Sequence, residues 1–229
     1  MRKQLFAIAL ILSPFVLRAQ EARTLFNSIP EAMLPMLSPV NRADFIDFID
    51  SGMKARVKNK FGDMSEMTDL TDSYIRIKPT DRSTWEMKVL PANDSTKIIC
   101  VVSTVCGPAC DSAVDFYTAG WEKLTASDYL AAPVADDFFQ LPDSTRLDDY
   151  TRYRNGMTMT LATAALSGQT NTLTFTLTTP TYAGSSAERQ SQTTGPQPFL
   201  RNPPVYLWEN DPLKGTYLFK RIETPMDAD

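Results

Sequence analysis

The sequence contains no histidine in its 229 residues. Without imidazole the chain cannot form a Ser-His-Asp triad, a Cys-His pair or an HExxH zinc helix. It also lacks a glycine-rich loop of the kind that cradles phosphate groups. These absences exclude most common hydrolase mechanisms and leave carboxylate pairs, lysine or a bare thiolate for catalysis. No catalytic residue, cofactor site or metal site is therefore assigned from the sequence.

Glycine is scarce, with 9 residues, and together with 16 prolines it is too infrequent for a fibrous or disordered chain. Hydrophobic residues make up 43% of the sequence, which is enough for a sizeable core. At roughly 150 residues per domain, this length predicts one or two compact units.

The first nineteen residues have the pattern of a signal peptide. Arg2 and Lys3 form a basic start, and residues 5–17 form an apolar run that ends before Ala19. This run is shorter than the ~20 residues that a membrane span needs, so cleavage is favoured over an uncleaved anchor. No cysteine lies near the cut, so a lipoprotein is not expected. The sequence predicts a periplasmic or secreted protein with no stable membrane anchor after cleavage.

Charge argues against nucleic acid as a partner. Loss of Arg2, Lys3 and Arg18 with the signal peptide lowers the formal net charge from −4 to −7. A negative surface repels phosphate backbones. The densest basic segment, residues 54–60, is interpreted as the solvated end of a helix.

A helix followed by alternating strands is predicted in the first half of the chain. In residues 39–53, Phe45, Ile49 and Met53 recur at helical spacing and define an apolar face. Period-two alternation or continuous apolar character then predicts four strands. These are residues 74–78, 85–89, 98–102 and 113–117.

The second half repeats this order. Short helices are predicted at 127–139 and 143–154, with Asp143 and Asp148 as N-caps. The strands predicted to follow are 157–161, 173–177, 205–208 and 216–222. The predicted fold class is α+β, with two tandem units of a helix plus a four-stranded antiparallel sheet, at 20–124 and 125–229. Residues 182–198 are small and polar, and are interpreted as either a mobile hairpin loop or a partner-binding arm.

Three cysteines lie near the hairpin between the third and fourth strands. If these strands pair antiparallel, Cys106 and Cys110 meet at the hairpin tip within reach of a disulfide, which an exported protein would retain. Their spacing has one residue too many for a C-x-x-C redox motif. Cys100 lies further down the inner strand and is expected to be a buried free thiol. The competing interpretation is a reduced Cys106/Cys110 pair that acts as a redox switch or metal ligand.

The sequence resembles a known group of proteins in several features. These are the signal end at Ala19–Gln20, the order of helix and four strands, the segment 104–112, and Phe116, Tyr117 and Trp121. Together they are similar to an uncharacterised family of exported Bacteroidetes proteins. The implied fold is loosely similar to the tandem repeats of β-lactamase-inhibitor-like proteins. The resemblance implies no catalytic residues.

One candidate ligand face is a set of threonines on two strands predicted to form a hairpin. If the hairpin forms, these hydroxyls lie on one face, opposite the apolar side chains. An ordered array of hydroxyls could bind a glycan or an envelope protein, although strand propensity alone also selects threonine on an exposed face. The residues are Thr158, Thr160, Thr172, Thr174, Thr176 and Thr178.

The alternative is a carboxylate-dependent envelope enzyme such as a glycosidase, in which two carboxyl groups flank the bond that is cleaved. One dense acidic cluster could supply such a pair. It consists of Asp136, Asp137, Asp143, Asp148 and Asp149. Helix capping and solubility also account for aspartates at these positions. The sequence therefore favours a non-catalytic binding protein over an enzyme.

Overall fold

The computed structural model describes residues 21–93, 96–155, 159–179 and 199–222. The predicted signal peptide and the predicted 182–198 loop lie outside these described residues. None of the helices in the described ranges has the length and apolar character needed to cross a membrane.

The structure contains three α-helices and two antiparallel sheets, which confirms the predicted α+β class. The helices are α1 (Glu21–Asn27), α2 (Pro39–Asp50) and α3 (Leu147–Asn155). The first sheet contains β1 (Arg56–Lys58), β2 (Met64–Leu70), β3 (Tyr74–Thr80), β4 (Ser83–Pro91), β5 (Lys97–Cys106), β6 (Cys110–Thr118) and β7 (Lys123–Leu124). The second contains β8 (Ala162–Leu166), β9 (Thr172–Leu177), β10 (Val205–Asp211) and β11 (Thr216–Ile222).

Helix α2 begins at a capping box. The Ser38 hydroxyl accepts a hydrogen bond from the Asn41 backbone N–H, and the Asn41 side chain accepts one from the Ser38 N–H. Pro39 occupies the first turn, where its missing N–H costs nothing. The predicted helix is confirmed, but it ends at Asp50, and Gly52 follows with a positive φ of 67°. Met53 is therefore exposed rather than on the buried face.

The first sheet is a meander of seven strands in sequence order, whereas four were predicted. All four predicted strands are present, as β3 to β6. The basic segment at 54–60, interpreted as a helix end, instead contains the edge strand β1. Only Val57 of β1 is buried, and charged residues on a short edge strand discourage pairing with other chains.

The second sheet has four strands, as predicted, in the order β11-β10-β9-β8. One of them was wrongly placed. The alternation at 157–161 predicted its first strand; of this segment, residues 157 and 158 lie outside the described residues and 159–161 are not in a strand. The first described strand is β8 at Ala162–Leu166, which pairs with β9 through the turn at 167–171. Alanine has a low strand propensity, so tertiary contacts determine which segment forms the strand.

The predicted helix at 127–139 is wrong. This segment contains two short 3-10 turns, Ala126–Asp128 and Ala135–Phe138. Pro133 lies between them, and a proline disfavours helical geometry at the residue before it. The predicted 143–154 helix is confirmed as a 3-10 turn that leads into α3. Asp143 caps it through Thr145, whereas Asp148 lies in the first turn of α3 rather than at its cap.

The elements form three layers. Helices α1 and α2 cover one face of the seven-stranded sheet, where Phe26, Phe45 and Met87 are fully buried. The four-stranded sheet covers the other face, where Phe116, Leu173 and Phe219 are buried. Burial of each such side chain contributes about 1.5–3 kcal/mol. The two sheets therefore share a core, whereas the division of the chain at residue 124 stays a prediction.

Polar side chains join the two sheets along β8. The N–H of Ala162 donates to Asp111, that of Ala164 to Ser112, and that of Leu166 to Glu86, the last at 2.8 Å. The Lys88 ammonium donates to the Ser167 carbonyl at 2.7 Å. We call the contacts of Glu86 and Lys88 with β8 and its turn the sheet junction.

The sheet junction buries two charged residues. Glu86 and Lys88 are 3% and 2% exposed. Burial raises the pKa of Glu86, an effect that hydrogen bonding to Leu166 and the nearby Arg76 partly offset. Burial lowers the pKa of Lys88. Gly168 allows the close approach, because a Cβ there would lie 3.1 Å from the Tyr74 ring.

The predicted disulfide is confirmed. Cys106 and Cys110 are opposite each other at the end of the β5–β6 hairpin and are bonded. Cys100 is a buried free cysteine opposite Phe116, as predicted, and burial raises the pKa of its thiol. The bonded pair differs from the competing interpretation, in which both thiols are reduced.

The first prediction concerns the pH dependence of stability. The pKa of Glu86 is raised in the folded state. The protonated Glu86 side chain therefore contributes its full stabilisation below the pKa of the unfolded state, about 4.3, and this contribution is lost as the pH rises through the pKa of the folded state. Glu86→Gln does not ionise. Above a pH of about 4.3 the wild type should therefore lose this contribution, whereas the variant should not. The free energy of unfolding of the variant minus that of the wild type should increase with pH. Urea unfolding between pH 4 and pH 8 measures it, with the exposed Glu122→Gln as control. A pH-independent difference for Glu86→Gln would contradict the burial argument.

The second prediction concerns thiol reactivity. The folded protein should react slowly with a thiol reagent, because Cys100 is buried. Unfolding without reductant should expose one thiol per chain, and unfolding with reductant three. Peptide mapping identifies the labelled residue. Labelling of Cys106 or Cys110 in the sample without reductant would contradict the disulfide.

Candidate binding site

Three hairpin turns from the two sheets meet at one end of the molecule and enclose an open groove of about 510 Å³. This volume lies within the range of small-ligand sites. The turns are those between β4 and β5, between β6 and β7, and between β10 and β11. We call this concave surface the hairpin groove. Its lining residues are Ala92, Asn93, Thr96, Lys97, Ile98, Thr118, Ala119, Gly120, Leu124, Tyr129, Gly215 and Thr216.

Side-chain hydrogen bonds hold each of the three turns. The Asn93 side-chain oxygen accepts from the Thr96 N–H at 2.7 Å. The Thr118 hydroxyl accepts from the N–H groups of Gly120 and Glu122. In the third turn, Asp211 accepts from the Leu213 N–H. These bonds fix the backbone that forms the walls of the groove.

An aromatic cluster lies beneath the groove and connects it to the core. Tyr129 packs against Phe116 with ring centroids 5.2 Å apart and stacks with Trp208 at 6.1 Å. The Trp208 indole N–H donates to the Pro91 carbonyl at 2.6 Å, which joins the second sheet to the end of β4. The half-buried Tyr129 is thereby held at the groove wall.

The groove contains one charged lining residue in the part of the chain that the structure describes. This is Lys97, whose ammonium lies 3.8 Å from a carboxylate oxygen of Glu21 in α1. Both side chains are more than a third exposed, so the pair is loosely held. The other lining groups are hydroxyls, an amide, backbone and the apolar side chains of Ile98 and Leu124. Such a surface can bind a ligand by hydrogen bonds, apolar contact and one positive charge.

A family model matches residues 15–212, most of the chain, and its description is a protein of unknown function, DUF3256. The chain belongs to this family. The predicted membership of an uncharacterised family is thus confirmed. The Bacteroidetes origin and the β-lactamase-inhibitor-like similarity stay predictions.

The DUF3256 chain is similar to a solved structure of a domain of an uncharacterized protein from Porphyromonas gingivalis W83. The two share 27% sequence identity with a TM-score of 0.70, over 89% of this chain and 98% of the other. No curated protein matches the chain.

The structure brings together three of the six threonines of the predicted ligand face. Thr172, Thr174 and Thr176 alternate along β9, opposite the buried Leu173 and Phe175. Thr160 is exposed but lies outside any strand. The Thr178 hydroxyl donates to the Cys110 carbonyl of the first sheet. Thr158 lies outside the described residues.

Four of the five aspartates of the acidic cluster have local partners in the described structure. Asp136 pairs with Arg154 at 2.5 Å, and Asp137 pairs with Arg221 and accepts the Val134 N–H at 2.7 Å. Asp143 caps the turn before α3, and Asp149 pairs with Arg152. These carboxylates hold local structure together. The described residues also contain no group of three or more potential ligands for a metal ion.

Sequence reasoning missed the hairpin groove, although turn residues marked its walls. Asn93, Gly120 and Gly215 are of residue types that favour turns. The β6–β7 turn was not predicted, because β7 has two residues only. The sequence can indicate the individual turns, but only the tertiary structure shows that they lie side by side.

The third prediction tests the structural role of the acidic cluster. Asp137→Asn should lower the free energy of unfolding by about 1 kcal/mol, because it weakens the ion pair with Arg221 and the cap on Val134. Asp148→Asn is the matched control, and should change it by less than about 0.5 kcal/mol. Urea unfolding measures both variants. Equal effects would show that the partners of Asp137 do not stabilise the fold.

Proposed function

We propose that this protein is a non-catalytic binding module of the bacterial envelope that takes its ligand in the hairpin groove. The observation that carries the proposal is the groove itself, whose walls come from both sheets and are fixed by side-chain hydrogen bonds. Preformed concave sites of this size are typical of ligand binding.

Export to the envelope is part of the proposal and rests on the signal-peptide pattern of residues 1–19. The mature protein would be periplasmic or secreted, without a membrane anchor. Its partner would be an envelope glycan or protein, and not nucleic acid, because the formal net charge is negative.

The arrangement of the carboxylates supports a binding module over a glycosidase. A glycosidase needs one carboxyl group to protonate the leaving group and a second to act as nucleophile or base. Asp136 and Asp137 are instead each bound by an arginine. The outer face of β9, with Thr172, Thr174 and Thr176, is a second surface on which a ligand could lie.

The fourth prediction tests the groove as the binding surface. The exported protein is immobilised and incubated with the polysaccharide and protein fractions of the bacterial envelope. Ala119→Trp fills the groove with an indole, whereas Thr176→Trp places the same group on the outer face of β9. Wild type and Thr176→Trp should retain the same component, and Ala119→Trp should lose it. Thermal unfolding verifies that both variants fold.

Two results would contradict the proposal. Loss of the component in Thr176→Trp but not in Ala119→Trp would identify the face of β9 as the binding surface. Release of reducing ends from the polysaccharide fraction, abolished by Asp137→Asn in a folded variant, would establish the carboxylate enzyme instead.

A further inference from the structure

We infer that one face of the first sheet is a surface for reversible contact with an anionic lipid bilayer. This face lies on β1, β2 and β3, on the side of the sheet away from α1 and α2, and we call it the basic face. The inference goes beyond the proposed function, because the basic face is separate from the hairpin groove. Its cationic side chains are Lys54, Arg56, Lys58, Arg76 and Lys78.

Strand alternation places the cations of β1 and β3 on one side of the sheet. The side chains of these strands that are buried against the helices are Val57, Ile75 and Ile77. Successive side chains of a strand point to opposite faces, so their neighbours lie on the other side. Those neighbours are the exposed Arg56, Lys58, Arg76 and Lys78. The second sheet packs against β4, β5 and β6 through β8, which leaves these four side chains in solvent.

Carboxylates on the same side offset only part of this charge. They belong to Glu66, Asp69 and Glu86. Glu66 is shared between two cations, since it lies 3.3 Å from Lys54 and 3.6 Å from Arg56. Lys58 and Lys78 form no ion pair with the residues that the structure describes. Five cations against three carboxylates leave the basic face with a positive excess, on a protein whose formal net charge is −4.

Exposed apolar side chains lie at the end of the basic face. Phe61 in the β1–β2 turn is 70% exposed, and Met64, opposite Lys58, is 45% exposed. The turn is fixed, because the side-chain oxygen of the buried Asn59 accepts hydrogen bonds from the N–H groups of Phe61 and Asp63. The fold therefore holds a phenylalanine ring in water beside a cluster of cations.

This combination favours a lipid surface over a soluble polyanion. Lysine and arginine near an anionic bilayer are attracted to its headgroups, and apolar side chains enter the boundary between headgroups and acyl chains. A soluble polyanion satisfies the cations but has no apolar layer for Phe61. Charges beyond about 8 Å are largely screened at physiological ionic strength, so the acidic remainder of the protein does not prevent the contact.

Contact through this surface leaves the hairpin groove accessible. In an antiparallel meander, successive turns lie at opposite ends of the sheet. The β1–β2 turn with Phe61 is at one end, whereas the β4–β5 and β6–β7 turns that line the groove are at the other. A bilayer at the basic face would hold the protein at the membrane with its groove directed away from the lipid.

The fifth prediction uses sedimentation of the exported protein with lipid vesicles. The protein should sediment with vesicles of equal parts phosphatidylglycerol and phosphatidylcholine, and not with phosphatidylcholine alone. Added salt should release it, because the attraction is electrostatic. Lys58→Gln combined with Lys78→Gln should lower the partition coefficient by about tenfold or more. Phe61→Ser should lower it several-fold.

Matched variants control for net charge and for exposed apolar area. Arg201→Gln combined with Lys214→Gln removes two exposed cations outside the basic face. Leu213→Ser removes a side chain that is 95% exposed in the β10–β11 turn. Ala119→Trp fills the groove. All three should sediment with anionic vesicles as the wild type does.

Several outcomes would overturn the inference. They are no sedimentation with anionic vesicles, equal sedimentation with neutral ones, and an equal loss in the two double variants. Retention of a polyglutamate peptide without vesicle binding would also overturn it, because the basic face would then recognise an acidic peptide. None of these outcomes affects the proposed function, since retention of envelope components by the groove is measured without lipid.

Discussion

The arrangement of the two sheets depends on the sheet junction, where Glu86 and Lys88 reach from the face of β4 to the edge strand β8. A buried ammonium or carboxylate without partners costs several kcal/mol, so these residues strongly disfavour any placement of β8 that does not satisfy them. The Leu166 N–H and the Ser167 carbonyl provide the partners. A one-residue slip of β8 would turn its apolar side chains outward and remove these bonds together.

The same contacts protect the edge of the second sheet. An edge strand presents unpaired N–H groups that can recruit another chain. In β8, three N–H groups donate instead to Asp111, Ser112 and Glu86. Side chains of the first sheet therefore accept the hydrogen bonds that the backbone carbonyls of a further strand would otherwise accept from β8. The sheets remain separate but are joined along this edge.

The hairpin groove is a consequence of that alignment. Its walls come from hairpins of different sheets, so the turns meet only when the sheets are held in register by the sheet junction. Trp208 adds a second fixed point, since its indole N–H binds the Pro91 carbonyl beside the first turn.

Local chemistry determined many of the elements of this protein before any tertiary contact. The helical spacing of the apolar residues in α2 and the alternation of β3, β4 and β9 were sufficient to predict these elements, because side-chain periodicity is a local property. The disulfide followed from a predicted hairpin that brought Cys106 and Cys110 together. Only the tertiary structure decided that Ala162–Leu166 forms β8, although the alternation at 157–161 is the more strand-like pattern, because partners far along the chain bind its N–H groups. Likewise, only the tertiary structure placed Lys97, Tyr129 and Thr216 around one groove, since no local pattern records which turns converge.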